Sequence, residues 1–189
     1  MKNLSKTFLL VASLILLSAC TPSDALKTPR ATLGNVGSPV TLDLFSDFQC
    51  PACAQVSPQV EDFVRANPER ARLTFHHFPL SQHENAFRAG VAAECANDQG
   101  KFWEYGDLAY QNHTNLTEEK LKEMARSLSL DTTAFAKCLD ANQTADRVRA
   151  DLNDGNERGV SYTPSIYVNG KLVQFTTREA FEGYVKSIK

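Results

Sequence analysis

Apolar residues occupy every second position from Val40 to Leu44, and this alternation predicts a short β-strand with one mostly apolar face. From Pro51 the apolar residues recur at helical spacing, which predicts a helix that ends near Ala66, just before an Asn-Pro pair. The residues 72–78 are predicted to form a second strand. Strand, helix and strand within about 40 residues form a βαβ unit, whose two strands are parallel because such crossovers are right-handed.

The middle of the chain, residues 83–158, contains no strand pattern. Its apolar spacing and helix-start signals predict five helices, at residues 83–98, 101–111, 117–129, 131–140 and 142–157. Asp131 is suited to cap the N-terminus of the fourth helix, since its side chain can accept hydrogen bonds from the first free amides. We therefore expect an all-helical insertion in this part of the chain.

The last part of the chain returns to strands. Two short strands are predicted, Ser165–Val168 and Lys171–Phe175, and the Asn169-Gly170 pair between them indicates a two-residue hairpin. Thr176 and Glu179 have the spacing of a capping box for a final helix. The predicted fold class is thus α/β, with an all-helical insertion between a βαβ half and a ββα half.

Composition and charge narrow the class of protein. The chain has 189 residues, of which 42% are hydrophobic and 22% charged, and its formal net charge is -2, as in ordinary globular domains. Lysine and arginine form no conspicuous cluster, so nucleic acid is excluded as a partner. The chain contains five cysteines, so its function depends on whether it works in an oxidising or a reducing compartment.

The N-terminal residues have the pattern of an export signal. Two lysines precede an apolar run from Phe8 to Leu17, far shorter than the roughly 20 residues that a membrane-spanning helix needs. Leu17-Ser18-Ala19-Cys20 resembles the lipobox of bacterial lipoproteins, in which the cysteine is acylated and becomes the first mature residue. We therefore predict a signal peptide over residues 1–19 and lipidation of Cys20. The alternative is a plain secretory signal followed by an incidental cysteine.

The segment after the predicted lipid site has no apolar periodicity. We expect residues 20–38 to be a lipidated N-terminus and flexible tether, and residues 39–189 to form the folded domain. If Cys20 carries lipid, four cysteines remain, and an even number is typical of an oxidising compartment, where cysteines are paired or catalytic.

The chemistry is expected at Cys50-Pro51-Ala52-Cys53, where a strand ends and a helix begins. Free amides and the helix dipole stabilise a thiolate at such a position, so Cys50 is predicted to be the nucleophile. Cys53, one turn into the helix, would resolve the mixed disulfide formed with a substrate. A structural disulfide or half of a zinc site are the alternatives, but Cys95 and Cys138 lie too far apart in sequence to form the second close pair of a four-cysteine zinc site. No metal site is predicted.

Four further stretches extend the pattern: Asp43 to Cys53, Phe78-Pro79-Leu80, Gln99-Gly100-Lys101-Phe102-Trp103, and Gly159 to Pro164 before the strand that ends in Asn169-Gly170. With these stretches, the sequence resembles the DsbA-like family of thiol-disulfide oxidoreductases in the bacterial envelope. This resemblance implies a thioredoxin-like fold and, as the only redox group, the disulfide of Cys50 and Cys53 without a separate cofactor. It also implies a cis peptide bond before Pro164, with Thr163 contacting the substrate backbone. The sequence departs from the strongest oxidants of the family at Ala52, where they carry a histidine.

Two further sites are predicted. Asp43 lies on a strand expected to be covered on both faces, so we expect a raised pKa and a role in moving protons for Cys53, with Asp47 as the competing candidate. Cys95 and Cys138 fall on helices of the insertion and are expected to form a structural disulfide. Two separate buried thiols are the alternative.

These expectations describe a lipid-anchored enzyme of the cell envelope that faces the periplasm. Its substrates would be cysteine-containing exported proteins, and as a dithiol oxidase it would be reoxidised by a quinone-coupled membrane partner. The resemblance to Gram-negative lipoproteins favours the outer membrane, because Thr21, directly after Cys20, is not the aspartate that many inner-membrane lipoproteins carry there. A disulfide reductase or isomerase is the first alternative. The second is a copper-binding module that uses both thiolates and a histidine.

Overall fold

The computed structural model describes residues 29–189, so the predicted signal peptide and Cys20 lie outside the described residues. One five-stranded sheet has the order β1-β3-β2-β4-β5. Its strands are β1 (Thr32–Leu33), β2 (Val40–Ser46), β3 (Ala71–His77), β4 (Ser165–Val168) and β5 (Lys171–Val173). The helices are α1 (Pro51–Ala66), α2 (Ala86–Asn97), α3 (Phe102–Gln111), α4 (Glu118–Ser127), α5 (Thr132–Leu139), α6 (Asn142–Glu157) and α7 (Arg178–Ser187).

The predicted βαβ unit is confirmed. β2 and β3 are parallel, with Leu42 opposite Leu73, and α1 connects them. Side chains alternate along β2, so that Leu42, Leu44 and Ser46 share one face of the sheet while Phe45 lies on the other. The Ser46 hydroxyl forms a hydrogen bond with the hydroxyl of Ser57 on α1. The face that carries Leu42, Leu44 and Ser46 is therefore the one that α1 covers.

The five predicted helices of the insertion are also confirmed. They stack beside the sheet around α2, which packs against α3, α5 and α6. Tyr105, Leu121 and Phe135 fill the interior of this helical layer. A disulfide between Cys95 on α2 and Cys138 on α5 confirms the predicted pairing, and their Cα atoms are 5.7 Å apart.

The predicted domain start at residue 39 is wrong. β1 pairs antiparallel with β3, with Leu33 opposite Leu73, and Ala31 is buried. Arg30 forms an ion pair with Asp151 on α6. A two-residue edge strand is too short to show periodicity, and the free edge of β3 supplies the hydrogen bonds that order it.

The helix cap near the end of the chain differs by one residue from the prediction. Thr177, not Thr176, is the N-cap of α7, and its hydroxyl accepts a hydrogen bond from the amide of Ala180. Within residues 29–189, no helix is both long enough and apolar enough to cross a bilayer.

Candidate active site

The loop that delivers Cys50 to the start of α1 is held by one carboxylate. Asp47 is buried, and its two oxygens accept hydrogen bonds from the amides of Gln49 at 2.7 Å and Leu80 at 2.9 Å. The Nδ1 atom of His83 lies 2.7 Å from the same carboxylate. The amide of Cys50 donates to the Asp47 carbonyl, so the loop enters α1 in a fixed direction.

Cys50 is the N-cap of α1, and Pro51 occupies the first helical position, where its missing amide is not needed. No disulfide joins Cys50 and Cys53 in the structure, and both side chains are buried. A hydrogen bond from the Cys53 thiol, a contact with Thr163 and the amides of Ala52 and Cys53 lower the pKa of Cys50 to about 5, although burial opposes them. Cys50 is therefore a thiolate at neutral pH.

Cys53 has the opposite character. Its side chain is completely buried, and this burial, together with the hydrogen bond to Cys50, strongly raises the pKa of Cys53. The hydroxyl of Ser46 partly offsets the burial. The pair thus combines one stable thiolate with one thiol that keeps its proton. Cys50 is suited to act as nucleophile and leaving group in thiol-disulfide exchange, and Cys53 is suited to resolve the mixed disulfide.

The peptide bond between Thr163 and Pro164 is cis, in agreement with the sequence-based expectation. β4 begins directly after it and pairs antiparallel with β2, with Ser165 opposite Phe45. This pairing brings the Thr163 carbonyl to 3.7 Å from the Cys50 sulfur. The backbone before β4 therefore lies against the nucleophile.

Two depressions flank this backbone. One has a volume of about 570 Å³ and lies between α1 and the strands β4 and β5; its apolar lining includes Val56, Val60, Tyr162, Pro164, Phe175 and Phe181. The other, of about 800 Å³, is lined by residues that include Leu80, His83, Phe87, Val160, Tyr162 and Thr163. Tyr162 is 37% exposed and lines both depressions, so there is space on either side of the backbone at Thr163 and Pro164.

The expectation of a raised pKa at Asp43 is wrong. Burial alone would raise this pKa, but hydrogen bonds and charge from His76 and Arg158 outweigh it, so the pKa of Asp43 is lowered. Arg158 donates to its carboxylate at 2.9 Å. Asp43 and Ser46 lie on different faces of β2, so Asp43 points away from Cys53. The competing candidate, Asp47, accepts a hydrogen bond from the amide of Leu80 and so holds the loop before α1.

Sequence reasoning missed a buried polar group beside Cys53. The Ser46 hydroxyl lies 2.9 Å from that of Ser57 and 2.6 Å from the hydroxyl of Tyr110. Glu61 is buried on the same side of α1. The spacing of Cys53, Ser57 and Glu61, four residues apart each time, was the available signal, because it places them on one stripe of a helix.

Potential metal ligands do not gather in the described part of the chain: no group of three or more His, Cys, Asp or Glu side chains could hold an ion there. The thiol of Cys50 contacts the Thr163 carbonyl, and Cys53 lies one helical turn further along α1.

A family model described as Thioredoxin matches residues 27–187, and the chain belongs to that family. Among curated proteins, the Na(+)/H(+) antiporter NhaA 3 of Salinispora tropica is 35% identical over 149 residues, which are 78% of this chain and 22% of the antiporter. NhaA 1 of Mycolicibacterium gilvum is 30% identical over 142 residues, 73% of this chain and 23% of that protein. The chain therefore spans less than a quarter of the length of these relatives.

Solved structures agree with the fold. A thioredoxin-like oxidoreductase from Silicibacter pomeroyi has a TM-score of 0.74 and 25% identity, covering 88% of this chain and 96% of its own. The thiol-disulfide exchange protein alpha-DsbA2 of Wolbachia pipientis has a TM-score of 0.76 at 16% identity, with coverage of 88% and 91%. BdbD of Bacillus subtilis has a TM-score of 0.70 at 21% identity, with coverage of 83% and 91%. Family and fold together make the chain a Thioredoxin-family protein, and its site places the Cys50-Pro51-Ala52-Cys53 motif at the N-terminus of α1, beside a cis-proline.

Proposed function

We propose that this chain forms disulfides in exported proteins of the bacterial envelope, as a dithiol oxidase. The observation that carries the proposal is the contrasting placement of the two cysteines: Cys50 is the N-cap of α1, whereas Cys53 is completely buried, in keeping with a pKa lowered to about 5 for Cys50 and a raised pKa for Cys53. A stable Cys50 thiolate favours the reduced form of the enzyme, and an enzyme with a favoured reduced form is an oxidant of other thiols.

The reaction starts from the disulfide form of the enzyme. A substrate thiolate attacks the Cys50 sulfur, the bond between Cys50 and Cys53 breaks, and Cys53 leaves and takes up a proton. A second substrate thiolate then attacks the substrate sulfur of the mixed disulfide. The substrate leaves with a new disulfide, Cys50 leaves as its stabilised thiolate, and two electrons have passed from the substrate thiols to the enzyme.

The backbone around Thr163 would hold the substrate. An extended peptide pairs with an exposed backbone edge through main-chain hydrogen bonds, which accept many sequences. The apolar depression beside Pro164 would receive a hydrophobic side chain next to the substrate cysteine. This combination supports a broad range of cysteine-containing exported proteins as substrates.

The enzyme would work at a membrane surface. Lipidation of Cys20 would tether it on the periplasmic side, preferably at the outer membrane, and a quinone-coupled membrane protein would restore the disulfide. Labelling of the chain with a radioactive fatty acid tests this anchor. A chain with Cys20→Ala should take up no label, whereas equal labelling of that variant would contradict lipidation at Cys20.

The reduction potential of Cys50 and Cys53 tests the direction of exchange. Equilibrated against glutathione, the full chain should have a potential between about -180 and about -120 mV, the range of oxidising dithiol proteins. A variant with Cys50→Ser and Cys53→Ser is the control, since any remaining signal belongs to Cys95 and Cys138. A value of about -270 mV, that of thioredoxin, would contradict an oxidase and indicate a reductase.

A further inference from the structure

His83 is a histidine beside the reactive loop to which the proposed exchange reaction has so far assigned no role. It follows β3, whose C-terminal end lies at the same edge of the sheet as that of β2, because the two strands are parallel. Cys50 follows β2 at this edge. The Nδ1 atom of His83 lies 2.7 Å from the carboxylate of Asp47, whose side chain is completely buried. The side chain of His83 is 19% exposed, so part of its ring reaches the surface.

The bond to Asp47 determines how the imidazole ring of His83 is protonated. Both oxygens of the carboxylate accept hydrogen bonds from backbone amides, those of Gln49 and Leu80, so Asp47 is an acceptor toward the ring as well. In the neutral ring the proton therefore lies on Nδ1, and Nε2 carries the lone pair. Within residues 29–189, Nε2 forms no hydrogen bond. An imidazole with one nitrogen held by a buried carboxylate and the other free has the arrangement of an oriented general base.

This histidine faces the place where a substrate cysteine must react. His83 and Thr163 line the same depression of about 800 Å³, and the Thr163 carbonyl is 3.7 Å from the Cys50 sulfur. A second bond fixes the segment that carries His83 to the reactive loop, because the amide of Asn85 donates to the side-chain oxygen of Gln49 at 2.7 Å. A peptide that pairs with the backbone at Thr163 and presents a cysteine to Cys50 therefore lies along this depression.

The exchange reaction needs a base at this place. A substrate cysteine attacks as a thiolate, but an ordinary cysteine has a pKa of about 8.5, so only about a thirtieth of it is ionised at pH 7. Between the two cysteines of the motif, Pro51 and Ala52 carry no titratable side chain. Among the described residues that line the depression, the other titratable ones are Glu84 and Tyr162. An ordinary carboxylate is a weaker base than an imidazole, and a neutral phenol is weaker still.

We propose that His83 is the general base that deprotonates the substrate cysteine, with Asp47 as the residue that orients its ring. This inference rests on the proposed exchange function. Nε2 of His83 takes the proton of the substrate thiol, and the substrate sulfur forms a bond to the Cys50 sulfur. The bond between Cys50 and Cys53 breaks, and its electron pair stays on Cys53. The imidazolium, stabilised by the Asp47 carboxylate, returns its proton to solvent through the depression, and Cys53 takes up one proton from solvent.

Two matched peptides separate a base from a structural residue. One contains a single cysteine, the other a selenocysteine in its place, and each is mixed with the full chain in its disulfide form. A selenol is already ionised at neutral pH, so the selenocysteine peptide needs no base. At pH 7, His83→Gln should slow the reaction of the cysteine peptide by about tenfold and leave that of the selenocysteine peptide unchanged. At about pH 9.5, where the cysteine itself is mostly thiolate, both chains should react with it at equal rates.

The substituted side chains are chosen to keep the fold. The amide of glutamine in His83→Gln can still donate to Asp47, so the loop keeps this hydrogen bond, but it offers no basic nitrogen. His113→Gln is the matched control, since His113 is partly buried, bonds to the Tyr110 carbonyl and lines neither depression. It should react with both peptides at wild-type rates. Glu84→Gln should do the same, and a selective loss with the cysteine peptide in this variant alone would make Glu84 the base and overturn the proposal.

The wild-type chain gives a second measurement that needs no variant. At each pH the rate constant of the cysteine peptide is divided by that of the selenocysteine peptide, which removes the effects of enzyme groups that act on both reactions, including Asp47, Glu84 and Tyr162 around the imidazole. This ratio, divided by the thiolate fraction of the cysteine peptide, should be about tenfold higher at pH 7 than at about pH 9.5. A quotient that is the same at both pH values would overturn the proposal.

The remaining outcomes are distinct. If His83→Gln slows both peptides by the same factor, His83 positions the reactive loop and is not a base, and the proposal is refuted. It is also refuted if this variant slows neither peptide. If the wild-type chain reacts with neither peptide at any pH, thiol-disulfide exchange itself is refuted.

Discussion

The sulfur of Cys50 lies 3.7 Å from the carbonyl oxygen of Thr163, although the two residues are 113 positions apart in the chain. The antiparallel pairing of β4 with β2 produces this contact, because it aligns the loop before β4 with the start of α1. The nucleophile and the backbone proposed to bind the substrate are therefore positioned by the same pair of strands.

Replacing one cysteine at a time separates attack from resolution. In Cys53→Ser, the Cys50 thiolate should still capture a peptide activated as a mixed disulfide, and the product should persist because no second thiol resolves it. Mass spectrometry of the intact chain measures this adduct. Cys50→Ser is the control and should form none. Equal trapping by both variants would contradict the assignment of Cys50 as nucleophile.

The ionisation of Cys50 should be visible in both absorbance and stability. The ultraviolet absorbance of the thiolate should titrate with a midpoint near pH 5 in the reduced protein. The folded-state pKa lies below the ordinary value of about 9, so the stabilisation is full above that value and is lost as the pH falls through 5. The free energy of unfolding of the reduced wild type, minus that of Cys50→Ser, should thus rise from pH 5 to pH 9. A pH-independent difference would argue against a stabilised thiolate.

Asp43 should affect stability and not exchange. Asp43→Asn removes a partly exposed ion pair with Arg158, so a loss of at most about 1 kcal/mol in the free energy of unfolding is expected at neutral pH. Since the folded-state pKa is lowered, that contribution vanishes as the pH falls below it, and the variant and wild type should then converge. The rate at which Asp43→Asn exchanges with a peptide that contains one cysteine should remain that of the wild type. If exchange became slower at the step in which Cys53 leaves, Asp43 would be supported as a proton carrier.

Gly155 on α6 allows a close helix-to-sheet contact. A Cβ atom there would lie 2.5 Å from the ring of Phe78 and 3.1 Å from that of Phe45. Gly155→Ala should therefore lower the free energy of unfolding by about 1–3 kcal/mol, measured by chemical denaturation. Gly183→Ala on α7 is the matched control, because its Cβ meets no atom within 4 Å; it should raise stability by about 0.5–1 kcal/mol. Equal effects of the two changes would contradict the packing at Phe78.

The second disulfide should stabilise the fold without taking part in exchange. Cys95 and Cys138 close a loop with a sequence separation of 43, for which the chain-entropy model gives about 3–4 kcal/mol. Replacing both by alanine should lower the free energy of unfolding by about that amount. The reduction potential of Cys50 and Cys53 should stay unchanged, and a shifted potential would show that the two disulfides are coupled.

The secondary-structure elements and the reactive cysteine pair could be predicted from the amino-acid sequence. The alternation at Val40–Leu44 and the apolar spacing after Pro51 predicted a strand and a helix that the structure confirms, because burial of one face imposes a period on the sequence. The boundary between the predicted strand and the predicted helix likewise placed Cys50 at a helix N-terminus. The resemblance to a known family supplied the cis bond before Pro164 and the overall fold.

The ionisation of the acids around the reactive pair could not be predicted in this way, because it depends on contacts between distant parts of the chain. The pKa of Asp43 depends on His76 and Arg158, which come from distant elements, and that of Glu61 depends on the packing of α3 against α1. Neighbouring acids such as Glu61 and Asp62 look alike in sequence, yet one is buried and the other exposed. Local patterns record which side chains avoid water, whereas the ionisation of a group depends on charges and solvent access that folding brings together from separate parts of the chain.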